Sequence, residues 1–201
     1  MAVQRKGLSR IKRFIADNRR LLLFLLLPLL GCVCGLLLQP TVSRAGWSQL
    51  LRIGAVPHGI GGVFSQWFDS CFQPFLLLLL LFLAGLSVCG IPAALLVPVF
   101  WGFGLGVLQA GYYAEGFGGV ALTAAVLLPH SAMEAVALLM GASECFRMSL
   151  RFSAVLLPRA AHGGLWQECR LYCVRFLVLG ALLLGAGALD VILRLLCARW
   201  L

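Results

Sequence analysis

Five apolar runs organise the chain: residues 21–38, 71–89, 93–113, 117–140 and 176–193. Each is about as long as a helix needs to cross the ~30 Å hydrocarbon core of a bilayer. The pattern predicts an all-α, polytopic integral membrane protein of about five transmembrane helices, folded as a single membrane domain over residues 21–201. The first run passes Cys32 and continues as Val33-Cys34-Gly35-Leu36. It is therefore read as an uncleaved anchor rather than a signal peptide or a lipoprotein box.

The polar stretches set the expected topology. Residues 1–20 hold Arg5, Lys6, Arg10, Lys12, Arg13, Arg19 and Arg20 against one acid, Asp17. Such a basic tail is expected on the cytoplasmic side, beside an anionic inner leaflet. Residues 39–70 are sparse in basic side chains and carry Trp47 and Trp67, as expected of an extracytoplasmic loop. Residues 143–175 hold Arg147, Arg151, Arg159, Arg170 and Arg175, as expected of a basic cytoplasmic loop. Five spans then leave the C-terminus outside, against which Arg194 and Arg199 weigh.

Helix breakers refine this. Pro28 is expected to kink the first span. Gly90-Ile91-Pro92 is expected to force a tight reversal between the second and third. Gly102 and Gly106 form a small-xxx-small pair that lets a neighbouring helix approach. Pro129 removes a backbone donor inside the fourth span. Ser131-x-x-Glu134 matches a capping box. Together these predict a fourth span broken at Pro129 into two half-helices, with a new N-terminus near Ser131.

Composition agrees with the membrane reading: 62% of the 201 residues are hydrophobic and 11% charged, and mean hydropathy is +1.00. The formal net charge of +9 would suggest nucleic acid in a soluble protein. Here the basic residues flank apolar runs, so topology and lipid headgroups account for them and no nucleic-acid partner is expected. The eight cysteines include no CxxC pair, and are read as small apolar side chains in packed helices.

Candidate chemistry concentrates in residues 127–142, where Pro129, His130 and Glu134 interrupt an apolar run. His130 and Glu134 stand four apart and share a face on a continuous helix. Three readings remain open: a structural cap, an interaction hub, and an ion, metal or proton site. Zinc hydrolysis would want HExxH and a third ligand. The sequence has no HExxH, and His58 and His162 fall in loops. No catalytic set, metal site or cofactor is expected, and the chain is not read as an enzyme.

The order Phe82–Pro92 (FLAGLSVCGIP), Trp101–Gly111 (WGFGLGVLQAG) and Leu127–Ala142 (LLPHSAMEAVALLMGA) resembles the stage II sporulation protein M family of bacterial membrane proteins. Gly85, Gly90 and Pro92 match its glycine-proline corner, Gly102 and Gly106 its glycine pair, and Pro129, His130 and Glu134 its signature. Ala135-Val136 stand where the family often has Ile-Pro. The resemblance implies a non-catalytic scaffold of the mother-cell septal membrane in endospore formation. Such a scaffold localises membrane-anchored peptidoglycan-degrading partners, sporulation proteins D and P, during engulfment. The alternative is a channel or transporter subunit with Glu134 and His130 in an ion or proton path.

Overall fold

The computed structural model describes residues 19–38, 59–114, 116–117, 120, 123–155 and 165–198. The expectations for the basic tail, for most of residues 39–70 including Trp47 and His58, and for Arg159, His162 and Arg199 lie outside the described residues. Among those described, helices α1 (Arg19–Leu38), α2 (Gly59–Gly85), α3 (Gly90–Tyr113), α4 (Leu128–Val155) and α5 (Leu165–Ala198) make up the fold. A π-helical turn, Thr123–Leu127, leads directly into α4. Four segments are long and apolar enough to cross a membrane: Gly62–Gly85, Gly90–Tyr113, Thr123–Ala154 and Trp166–Leu196. The apolar part of α1, Phe24–Leu38, is shorter.

The bundle buries a core drawn from all five helices, with Phe24 the contribution of α1. Leu81 of α2, Ala94 of α3, Leu138 and Cys145 of α4, and Tyr172 and Leu183 of α5 are almost fully enclosed. Much of the remaining surface is large and apolar, including Leu30 and Leu37 of α1, Leu96 of α3 and Leu177 of α5. In water such exposure would be a liability. Against lipid it is the matched surface.

Lipid is as apolar as leucine, so close packing and polar contacts must hold the helices together. The α1–α3 crossing shows how close. A Cβ on Gly102 would stand 2.1 Å from the Pro28 carbonyl oxygen, and one on Gly106 2.1 Å from that of Cys32. The relation is reciprocal: a Cβ on Gly31 would meet the Val99 oxygen at 2.1 Å, and one on Gly35 the Phe103 oxygen at 2.2 Å. The expected glycine pair on α3 therefore meets a second pair, Gly31-xxx-Gly35, on α1. No side chain fits between the two backbones.

Several boundaries differ from the sequence expectation. Helix α2 begins at Gly59 rather than residue 71. Its added turns bury Gln66 and Ser70, and the Trp67 indole donates to the Leu184 carbonyl of α5 at 3.3 Å. Trp67 and Ser70, which read as loop, thus find hydrogen-bond partners on α5 inside the bundle.

The reversal lies at residues 86–89, where Ser87 N–H bonds the Ala84 carbonyl at 2.9 Å and Gly90 N–H bonds that of Ser87 at 3.3 Å. Gly90 already opens α3, with Cys89 as its N-cap. Pro92 falls in the first turn, where a missing N–H costs nothing.

The irregularity expected at Pro129 takes the form of the π turn immediately before it, and the chain continues as one helix to Val155. A widened turn there relieves the crowding that a proline ring imposes on the carbonyl four residues earlier, that of Ala125. Two half-helices with a free N-terminus are not formed. The Ser131 hydroxyl donates back to the Leu128 carbonyl at 3.2 Å instead of capping Glu134.

Residues 143–155 and 165–175 are helical extensions of α4 and α5, not loop. Their charges pair between the two helices: Arg175 with Glu144, and Arg151 with Glu168. Helix α5 accordingly starts eleven residues before the expected span at 176.

Candidate functional site: a polar cluster inside the bundle

At the end of the bundle where α2 and α4 begin and α3 and α5 finish, polar side chains converge. Helix α4 supplies His130, Ser131 and Glu134, helix α5 Asp190 and Arg194, and helix α2 Ser70. His130, Ser131, Glu134, Ser70 and Asp190 are all buried. With Pro74, Trp101, Leu105 and Leu127 they enclose a cavity of about 30 Å³, enough for a single water or small ion.

The π turn and the unbroken helix after it place His130 and Glu134 on one inward face. His130 Nε2 lies 3.1 Å from Glu134 Oε1, as the four-residue spacing predicts. His130 Nδ1 lies 3.0 Å from the Ala186 carbonyl oxygen of α5. A carbonyl only accepts, so Nδ1 carries a hydrogen. The contact with Glu134 then requires one more proton, on Nε2 or on the carboxyl. In either microstate the pair is net neutral, which suits an interior where an unpaired charge is costly.

Asp190 is 1% exposed and fully engaged. Arg194 Nε reaches Asp190 Oδ1 at 3.0 Å and Oδ2 at 2.9 Å, one helical turn along α5. The Ser70 hydroxyl donates to Oδ2 at 2.6 Å. Charge-assisted bonds of this length are the stronger kind. Helix α2 also turns Gln66 and Gln73 inward, one turn to either side of Ser70. Gln66 Nε2 and Gln73 Oε1 are buried without a hydrogen-bond partner among the described residues.

The eight residues singled out from the sequence fall into three places. His130 and Glu134, with Pro129 beside them, belong to this cluster. Gly102 and Gly106 face α1. Gly85 and Gly90 sit at the opposite end of the bundle, where Pro92 is exposed. There a Cβ on Gly85 would stand 2.2 Å from the Tyr172 hydroxyl, and one on Gly90 2.7 Å from the Ala84 oxygen. That end is fastened by Tyr172 donating to the Phe82 carbonyl at 3.0 Å and by Ser149 donating to that of Val88 at 3.2 Å.

Sequence reasoning had not joined Ser70, Asp190 and Arg194 to His130. Asp190 and Arg194 stand four apart in an apolar helix, a usable signal for an intramembrane ion pair. Ser70 offered none, since only the fold shows that its helix extends that far. Among the described residues no group of three or more His, Cys, Asp and Glu side chains is arranged to hold a metal ion.

The fold and the cluster define the class: an all-α polytopic membrane protein whose span-length helices are joined internally by buried polar contacts. No family model, curated protein or solved structure matches the chain.

Proposed function

We propose that the protein is a non-catalytic membrane scaffold, the role implied by its resemblance to the stage II sporulation protein M family. In this reading it assembles membrane-anchored peptidoglycan-degrading partners, sporulation proteins D and P, at the septal membrane during engulfment. The N-terminus and the charged ends of α4 and α5 face the cytoplasm, and the polar cluster lies toward the extracytoplasmic side.

One observation carries the reading. The signature side chains His130 and Glu134 spend their polarity on each other and on the Ala186 backbone of α5. Used this way, the motif is a clasp that fixes α4 against α5 and gives the bundle a defined outer face for partner helices. Affinity purification from sporulating cells tests it. Recovery of cell-wall hydrolases with the wild-type chain, lost in His130→Ala, is expected. A wild-type chain that brings down no hydrolase overturns it.

A second reading, a proton-coupled transporter subunit, is favoured by the proton shared between His130 and Glu134 beside a second buried acid, Asp190. Gln66 Nε2 and Gln73 Oε1, buried without a hydrogen-bond partner among the described residues, add polar groups on the same side of α2. Glu134→Gln separates the two readings, because the amide can still bond His130 while the shared proton is gone. Loss of proton flux in liposomes with intact partner recovery selects transport. Intact recovery with no wild-type flux to lose selects the scaffold.

A further inference from the structure

On the lipid-facing side of the bundle, α2 and α5 flank an apolar groove of about 480 Å³. Leu78 and Phe176 form its buried floor, and exposed Phe75, Leu79, Leu177 and Leu184 its rims. Gly180 and Ala181 keep it open. The nearest atom to a Cβ built on Gly180 is Phe75 Cε2, at 3.5 Å, so the space beside this glycine is free.

Along α5 the groove runs from Cys173 to Leu184, about 16 Å at 1.5 Å per residue. That is about the depth of one leaflet, half of a ~30 Å hydrocarbon core. Its α5 stripe continues by helical register toward the start of the helix. Counting back from Leu177 by seven and then four positions reaches Arg170 and Trp166. Trp166 is 82% exposed. Arg170 is exposed too and makes no ion pair among the described residues, whereas Arg151 and Arg175 at the same end are paired. Beyond the Cys173 end of this leaflet-deep apolar slot, the helix thus carries an exposed tryptophan and a cation without an ion pair among the described residues, as suits a membrane interface.

We propose that this groove binds one acyl chain of an anionic phospholipid, with the lipid phosphate at Arg170. Shape and charge select this occupant together. The slot is lined by methyl, methylene and ring carbons apart from the Cys173 thiol, while the Arg170 guanidinium beyond its Cys173 end complements a phosphate.

Native mass spectrometry of the full-length protein in detergent, titrated with phosphatidylglycerol or phosphatidylcholine, tests the site. One phosphatidylglycerol should be retained per chain, with about a fivefold preference over phosphatidylcholine, the effect of one arginine at an anionic surface. Arg170→Gln should erase the preference while chain retention persists. Gly180→Leu, which fills the slot, should reduce retention of both lipids severalfold. Should that variant fail to fold, Ala181→Leu at an exposed rim position carries the same expectation. Undiminished retention in the folded filling variant overturns the groove as the site. A preference unchanged in Arg170→Gln overturns the headgroup assignment. Cross-linking from Cys173 in native membranes that captures a polypeptide rather than lipid overturns the occupant.

Discussion

The Ser70 hydroxyl donates a 2.6 Å hydrogen bond to the Asp190 carboxylate across 120 positions of sequence. It ties the start of α2 to the end of α5 inside the bundle. Bonds to a charged acceptor contribute roughly 1.5–3 kcal/mol in soluble proteins, but polar contacts between membrane helices average less. Ser70→Ala is therefore expected to destabilise the folded state by about 1–2 kcal/mol. Reversible unfolding in mixed micelles measures it, and a loss below the experimental scatter would mean that water replaces the hydroxyl.

Asp190 and Arg194 should behave as a unit. Removing the arginine alone leaves a carboxylate that is 1% exposed, with the Ser70 hydroxyl as its remaining side-chain donor among the described residues. An uncompensated buried charge costs about 3–5 kcal/mol. Arg194→Leu is expected to approach that range, and Asp190→Asn combined with Arg194→Leu to be clearly more stable than Arg194→Leu alone. A double-mutant cycle reads the coupling. Strict additivity would show the pair to be solvated in the folded state.

Glu134 discriminates by shape rather than charge. With Nδ1–H held by the Ala186 carbonyl, neutral His130 presents Nε2 as an acceptor, and a glutamine amide can donate to it. Glu134→Gln is expected to stay within about 1 kcal/mol of wild type. Glu134→Ala, which also leaves a cavity, should cost about 2–3 kcal/mol. Equal losses for the two variants would contradict the assigned hydrogen on Nδ1.

The α1–α3 crossing should be intolerant of any Cβ. In Gly102→Ala the new methyl meets the Pro28 backbone at 2.1 Å, and backbone cannot rotate aside as a side chain can. Helix α1 must move away. Cys32 Sγ lies 3.5 Å from Gln109 Oε1, so a Gln109→Cys variant should cross-link to Cys32 with a short thiol reagent. Adding Gly102→Ile should cut the cross-linked fraction severalfold. Cross-linking that persists at full yield would mean that the crossing tolerates the side chain.

Much of this architecture was legible in the chain. Apolar run length alone indicated a polytopic helical bundle, because a bilayer interior leaves the backbone no other economical hydrogen-bonding solution than helix or closed barrel. The spacing of His130 and Glu134 placed them on one face, and Gly102 with Gly106 marked a close helix approach. These are local relations, set by 3.6 residues per turn. What covers each face is not local. That Gly31 and Gly35 meet the α3 glycines, and that Ser70 and Arg194 converge on Asp190, depends on which helices are neighbours and in what register.

The fourth span marks the boundary most clearly. The sequence by itself determined that Pro129 must disturb the helix, since a missing N–H and a bulky ring are properties of the residue. It could not determine how. Ser131 and Glu134 have the composition of a cap, which argued for a broken helix. In the folded bundle His130 and Glu134 contact each other and α5, and the irregularity becomes a π turn. The tertiary structure decided the outcome because a buried polar group is stabilised by whichever partner the packing brings within reach.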